Sequence, residues 1–292
     1  MFELIQVAEN TFYINCPAKM GIYRLSNHKV IVIDSGNDKE AGRKILKIIS
    51  EHNWTLEAII NTHSNADHIG GNKILSDRTG CKIYAKGIER TFCEFPVLEP
   101  AFLFGGFPNK QLRHKFLLAE PSHVEDITAY MLPQNMEIFP LKGHYFDMIG
   151  VKTPDDVYFM ADCVSSETVL EKYHISFIYD IAEYLKTLDT IEKMKGKLFI
   201  PAHTDVVETM KPLADINRQK VFEIIENIRQ IGEKPSSFEE ILKKIFDHYN
   251  LTMNITQYVL VGSTIKSYLS YLVDHSIATI EIQDNKLLWK IM

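Results

Sequence analysis

The sequence predicts a layered α/β fold with a metal-binding edge. Three observations carry this expectation. In the first third of the chain, apolar runs of strand length alternate with segments of helical period. The apolar run Leu56 to Ile60 empties directly into a polar loop. That loop, Asn61-Thr62-His63-Ser64-Asn65-Ala66-Asp67-His68-Ile69-Gly70-Gly71, packs two imidazoles, a carboxylate and an amide into six residues. Imidazole and carboxylate are the side chains that bind borderline divalent metals such as zinc.

Each element follows from local pattern. Thr11-Phe12-Tyr13-Ile14 reads as a strand, and Val30 to Ile33 as a second that stops at Asp34-Ser35-Gly36. A helix is predicted from about Lys39 to His52, since Ala41, Ile45, Ile48 and Ile49 share one face. After the polar loop, Gly70-Gly71 opens a short helix to Arg78, and Cys81 to Ala85 is another strand. Residues 87–130 differ: Phe92, Phe95, Phe102, Phe104, Phe107 and Phe116 sit among prolines and glycines. Those breakers forbid a long helix. The aromatics call for burial, so an irregular packed excursion is expected, or else a lid or dimer surface beside the loop.

Strands resume at Ile138 to Leu141, Met148 to Lys152 and Val157 to Met160. A helix covers Ile178 to Met194, and Leu198 to Ile200 is one more buried strand. Helices then span Val221 to Ile231, Phe238 to Tyr249 and Gln257 to Asp274. A hairpin follows, Ala278 to Ile282 and Lys286 to Ile291, turning at Asp284-Asn285. The expected division is a first domain over 1–214 and a small winged-helix-like domain over 215–292.

The 292 residues, 46% of them apolar, suffice for a full globular core. The net charge of −6 argues against general affinity for nucleic acid or anionic membrane. Lys266 is the single cation of the last predicted helix, which makes it a poor recognition helix. Docking on the core, dimerisation or shaping a cleft are the expected roles of this tail. No apolar run is long enough to cross a bilayer, and the N-terminus lacks a basic-then-apolar signal. The four scattered cysteines lack a Cys-x-x-Cys pair and read as reduced thiols. A cytoplasmic location is therefore expected.

His144, Asp162 and His203 each follow a predicted strand. Taken in order, Thr62-His63-x-x-x-Asp67-His68-x-Gly70-Gly71, Gly143-His144, Ala161-Asp162 and Ala202-His203 resemble the metallo-β-lactamase-fold superfamily of metal-dependent hydrolases. The resemblance runs from about Val30 to His203, and the tail after about Ile216 resembles the winged-helix domain of some members. It implies a four-layer αββα sandwich with up to two metals at one edge of the sheets. His63 and His144 would hold the first metal, Asp67, His68 and His203 the second, with Asp162 bridging. A metal-activated water would be the nucleophile, and Asp67 would be both ligand and proton acceptor. Zn2+, one or two per chain, is the implied cofactor, with manganese or iron as alternatives.

Two positions depart from the pattern. The family usually has His where this chain has Asn65, so the expectation is an intact second site and a weakened or empty first one. Tyr145 stands where the family often has Thr; it is either a packed aromatic or a phenol hydrogen bond to substrate. The implied activity is hydrolysis of an ester, thioester, lactone, amide or phosphodiester of a small molecule. The alternatives are an RNA or nucleotide phosphodiesterase, and a non-catalytic metal-binding or regulatory protein with a degenerate first site. A homodimer is also expected as an arrangement.

Overall fold

The computed structural model describes residues 2–26, 28–232 and 234–292. Strands β1 (Glu3–Gln6), β2 (Thr11–Asn15), β3 (Met20–Arg24) and β4 (Lys29–Ile33) pair antiparallel in succession. β5 (Thr55–Ile60), β6 (Lys82–Ala85) and β7 (Glu125–Asp126) then add in parallel and complete a seven-stranded sheet in chain order. The second sheet holds β8 (Glu137–Pro140), β9 (Ile149–Lys152), β10 (Val157–Ala161) and β11 (Leu198–Pro201) in the order β11-β10-β9-β8. In it only β10 and β11 pair in parallel.

The alternation of side chains on each strand sorts the layers. Ile31 and Ile33 of β4 face the second sheet and share a core with Ile149, Val151 and Phe159. Val30 and Val32 face the other way and pack with Ile45, Ile48 and Ile49 of helix α1 (Lys39–Glu51). A strand covered on both faces must be apolar throughout, which is why Val30 to Ile33 shows no period of two. Burying each such Ile contributes about 1.5–3 kcal/mol. Gly21 of β3 admits the Phe159 ring, since a Cβ there would lie 2.6 Å from it. The outer face of the second sheet, with Tyr158, Met160 and Phe199, packs on helices α7 (Ile181–Ile191) and α8 (Lys211–Ile231). The fold is thus the αββα arrangement that the resemblance implied.

Short helices α2 (Ala66–Ile69) and α3 (Asn72–Thr79) follow the polar loop, and α4 (Glu89–Glu94) and α5 (Leu98–Phe104) lie in the Phe-rich excursion. α6 (Glu167–Tyr173), capped by the Ser166 hydroxyl at the Val169 N–H, was not expected from the sequence. After α8 come α9 (Phe238–His248), α10 (Ile255–Asp274) and the hairpin β12 (Ala278–Gln283) with β13 (Lys286–Ile291). No helix among the described residues is long and apolar enough to cross a membrane.

Two expectations need correction. α8 starts at Lys211, well before Val221, with Pro212 in its first turn, so one helix runs across the expected boundary at 214/215. Ala214 and Asn217 in its first two turns are buried, and the core of α7 to α10 is continuous with the second sheet. In the excursion, Phe92 is buried, but Phe95, Phe104, Phe107 and Phe116 are exposed, Phe107 by 77%. The segment is too irregular to enclose its own aromatics. Two of them are partly covered by cations instead: the Arg113 guanidinium lies 5.3 Å from the Phe107 ring and Lys115 lies 5.4 Å from Phe116.

Gly143 sets the approach of the β8 end to α7. Its φ is +115°, and a Cβ there would lie 2.3 Å from the Tyr184 backbone. Its carbonyl accepts the Tyr179 and Asp180 N–H groups at 2.9 Å. Gly143→Ala is expected to cost about 2 kcal/mol or more and to displace His144. A urea melt combined with zinc titration checks both effects.

Candidate metal centre

The ligands come from strand ends on one edge of the two sheets. β5 ends at Ile60 and releases the loop carrying His63, Asn65, Asp67 and His68. β8 leads through Gly143 to His144, β10 to Asp162, and β11 to His203. Ala161, just before Asp162, has φ +48°. A non-glycine residue held there is strained by about 1–2 kcal/mol, a strain found where geometry serves a site.

The donors gather in two sets. His63, His144 and Asp162 form one and Asp67, His68 and His203 the other, and within each set the donor atoms lie within 4.8 Å of one another. Asp162 sits between them. Its carboxylate lies 3.1 Å from His68 Nε2, 3.1 Å from His203 Nε2 and 3.7 Å from His144 Nε2. Asp67 Oδ2 lies 3.2 Å from His203 Nε2.

All four histidines are held by their Nδ1 atoms. His68 Nδ1 donates to Asp34 Oδ2 at 2.9 Å and His144 Nδ1 to the Phe177 carbonyl at 3.0 Å. His203 Nδ1 donates to the Pro17 carbonyl at 2.8 Å. His63 Nδ1 donates to Thr62 Oγ1 at 3.0 Å, and that hydroxyl donates in turn to Asp34 Oδ2. A carbonyl or carboxylate accepts only, so a neutral imidazole bonded this way carries its lone pair on Nε2. Four Nε2 atoms therefore point into one space beside two carboxylates. His63 Nε2 is buried without a hydrogen-bond partner, and His68 Nε2 and Asp162 Oδ1, 3.1 Å apart, face only each other. Orphaned acceptors of nitrogen and oxygen type in this arrangement fit a borderline divalent cation.

The carboxylates and imidazoles set one another's charge. Burial alone would lower the His203 pKa, but Asp162 and Asp67 hold its imidazole up at about 10. Burial also opposes the charge on His68, yet Asp162, Asp67 and Asp34 raise its pKa well above the usual value. His63 and His144 go the other way: burial keeps both below the ordinary value, that is, neutral. The Asp162 carboxyl, which burial would raise, is held well down by His203 and His68.

The structure brings together every sequence-assigned ligand: His63, Asp67, His68, His144, Asp162 and His203. Asn65 joins them, with Oδ1 3.2 Å from His144 Nε2. Tyr145 does not face the cleft. It is fully buried among His63, Phe92, Phe146 and Phe177, so the packed role replaces the proposed contact with substrate. The sequence reading missed the residues behind the ligands. Asp34 reads in the sequence only as a strand end, and its φ of +60° and its bonds to His68 and Thr62 emerge only in the fold. Glu89 and Glu99, buried and sent into the loop from α4 and α5, gave no signal in sequence. Glu89 accepts from the Ser64 N–H and hydroxyl and from the Asp147 N–H.

A cleft of about 440 Å³ opens on His144, Asp162 and His203. Val164, Val169, Ile175 and Phe177 form its apolar walls, with Leu260 and Val261 contributed by α10. Ser165, Ser176 and Gln257 are polar points in it, and no Lys or Arg lines it. A smaller cleft of about 170 Å³ on the other flank meets Asp67 and His203 and includes Phe116 of the excursion.

Two stacked sheets flanked by helices, with converging imidazoles and carboxylates at one edge, define a metal-binding α/β protein. Residues 15–203 match the family model of the Metallo-beta-lactamase superfamily, and the chain belongs to that superfamily. A hydroxyacylglutathione hydrolase from Pseudomonas entomophila (strain L48) is 35% identical over 111 residues, 38% of this chain and 40% of that protein. The beta-lactamase-like protein 2 homolog of Drosophila melanogaster is 24% identical over 186 residues, 63% of this chain and 57% of that protein. The chain thus spans about half the length of these curated relatives. Among solved structures, a beta-lactamase domain protein from Burkholderia ambifaria is similar at a TM-score of 0.76 and 17% identity, over 99% of this chain and 94% of that one. That likeness is one of fold.

Two outcomes are expected. Asp34→Ala leaves His68 Nδ1 without its acceptor and should weaken zinc binding about 10–100-fold, read by competition with a chromophoric chelator. The second concerns pH. The folded His203 pKa lies above its ordinary 6.5, so its ion pairs stabilise the metal-free protein below pH 6.5. That contribution is lost as pH rises through about 10. Chelator-stripped protein should therefore lose Tm across this window, and zinc-loaded protein should lose less.

Proposed function

We propose that the protein is a metal-dependent hydrolase of a small carbonyl compound: an ester, thioester, lactone or amide with an apolar acyl or alcohol part. The observation that carries this reading is the cleft beside His144, Asp162 and His203, apolar in its walls and lined by no Lys or Arg among the described residues. A bound divalent metal, Zn2+ first among candidates, would supply an acidified water and polarise the carbonyl. The chain's residues do the rest. His63, His144, Asp67, His68, His203 and Asp162 would hold the ions at fixed separation. Asp67, partly open to solvent, would accept the proton of the attacking water. The apolar walls of the cleft would seat the non-reacting part of the substrate and keep bulk water away from the carbonyl.

The acyl reading is preferred over phosphodiester cleavage. A nucleic-acid site needs cations along the strand, whereas no Lys or Arg among the described residues lines this cleft and the whole chain carries −6. The hydroxyacylglutathione hydrolases among the relatives bring thioesters within the class. The glutathione half bears carboxylates for which the cleft offers no partner, so an uncharged thiol or alcohol part is proposed instead. The helical unit after β11 serves here as a cleft wall rather than a nucleic-acid reader. A Zn2+-loaded, cytoplasmic enzyme fits this reading.

The test is turnover of a panel of aryl esters, acyl thioesters and lactones graded by acyl length, with single-stranded RNA as a comparison. Activity is expected on the carbonyl substrates, lost on chelation and restored by zinc. Asp67→Ala should lower kcat/KM by about 100-fold or more. Cleavage of RNA alone would favour the phosphodiesterase. Failure of every substrate, with Asp67→Ala and His203→Ala also silent in the cell, would favour a binding or regulatory protein.

A further inference from the structure

The geometry points to Glu99 as the positioning residue that makes Asn65 an oxygen ligand of the first metal. This inference rests on the metal-site reading above, and it concerns metal content rather than turnover.

Asn65 stands at the N-cap of α2, where an Asn side chain ordinarily accepts an N–H of the first turn. Here it makes no such bond. Its amide is turned out of the helix and stretched between two groups. Nδ2 donates to Glu99 Oε1 at 2.8 Å, and Oδ1 faces His144 Nε2 at 3.2 Å. Glu99 arrives from α5, thirty-four positions along the chain, and is buried at 5% exposure. Burial raises the Glu99 carboxyl well above the ordinary carboxylate range, and the bond from Asn65 opposes that rise.

The orientation matters because an amide has one end that donates and one that accepts. Glu99 Oε1 takes the donor end, which leaves the acceptor end toward the site. There Oδ1 meets a bare lone pair, since the His144 Nδ1–H is committed to the Phe177 carbonyl. Two lone pairs at 3.2 Å oppose each other unless a cation lies between them. His63 Nε2, orphaned and fully buried, and the Asp162 carboxylate complete the same space. The first site is thus a set of two imidazoles, one carboxylate and one amide oxygen. An amide oxygen is a harder and weaker donor than imidazole, so its contribution depends on being held in place. The buried bond to Glu99 provides that hold.

The test is metal stoichiometry and affinity in full-length protein, read by elemental analysis after dialysis and by cobalt absorption during titration. Wild-type protein should bind two ions. Glu99→Leu should lose the first with an affinity drop of about 10–100-fold while the second remains, an internal control for folding. Glu99→Gln, which keeps an acceptor oxygen, should retain most first-site binding. Asn65→Leu, which leaves Glu99 in place, should lose the same single ion, so the inference stays testable if Glu99→Leu fails to fold. Two ions held with unchanged affinity in Glu99→Leu or Asn65→Leu would overturn it, as would a wild-type protein that binds one ion only. These outcomes are separable from the hydrolase reading, because loss of one ion stands or falls without any substrate.

Discussion

The structure depends on one electrostatic constraint: four imidazoles and two carboxylates are forced into a single partly enclosed space at the edge of the sheets. Each imidazole is pinned at Nδ1 by an oxygen outside the space, so every Nε2 is aimed inward. Buried lone pairs without partners are costly, by about 1–3 kcal/mol each. Cations remove that cost and protons relieve it in part. Accordingly Asp162 and Asp67 raise the pKa values of His68 and His203 against burial, while burial lowers those of His63 and His144.

The αββα frame is what makes such crowding sustainable. The metal loop, Asp162 and His203 sit just past the buried ends of β5, β10 and β11, while His144 follows the edge strand β8 and is held through Gly143 against α7, so the backbone cannot relax to move them apart. Ala161 and Asp34, both at positive φ beside the site, show the frame imposing conformations that the local sequence would not choose. The excursion adds a second hold. Glu89 and Glu99 leave consecutive short helices and fasten Ser64 and Asn65, so the loop is clamped from the solvent side as well. The same excursion leaves Phe107 and Phe116 exposed, because its prolines and glycines give it a surface path. α10 reaches back to the cleft through Leu260 and Val261, which ties the tail of the chain to the site.

How much of this was legible in the sequence follows the range of the interactions. The metal loop, Gly143-His144, Asp162 and His203 could be read because each follows a run of apolar residues that is itself a strong signal. The strands and most helices could be read for the same reason. The start of α8 was missed because Lys211 to Asn217 is too polar to show a helical stripe, though Ala214 and Asn217 are buried by tertiary packing. Glu99 was illegible for a different reason: a lone Glu in a Phe-rich segment reads as a solvated charge, and only the folded chain brings it to Asn65. Backbone acceptors such as the carbonyls of Pro17 and Phe177 leave no trace in a sequence at all. Asn65 was conspicuous from the start, but whether it caps its helix or serves the site is decided by a residue from α5.

The proposed arrangement is a pair of adjacent metal positions that would share Asp162. Diffraction from protein purified without chelator, collected on either side of the bound metal's absorption edge, tests it most directly. The account predicts two anomalous peaks about 3.5–4 Å apart, one among His63, Asn65, His144 and Asp162 and one among Asp67, His68, His203 and Asp162. A single peak among Asp67, His68 and His203, or ions bound only elsewhere on the surface, would contradict it.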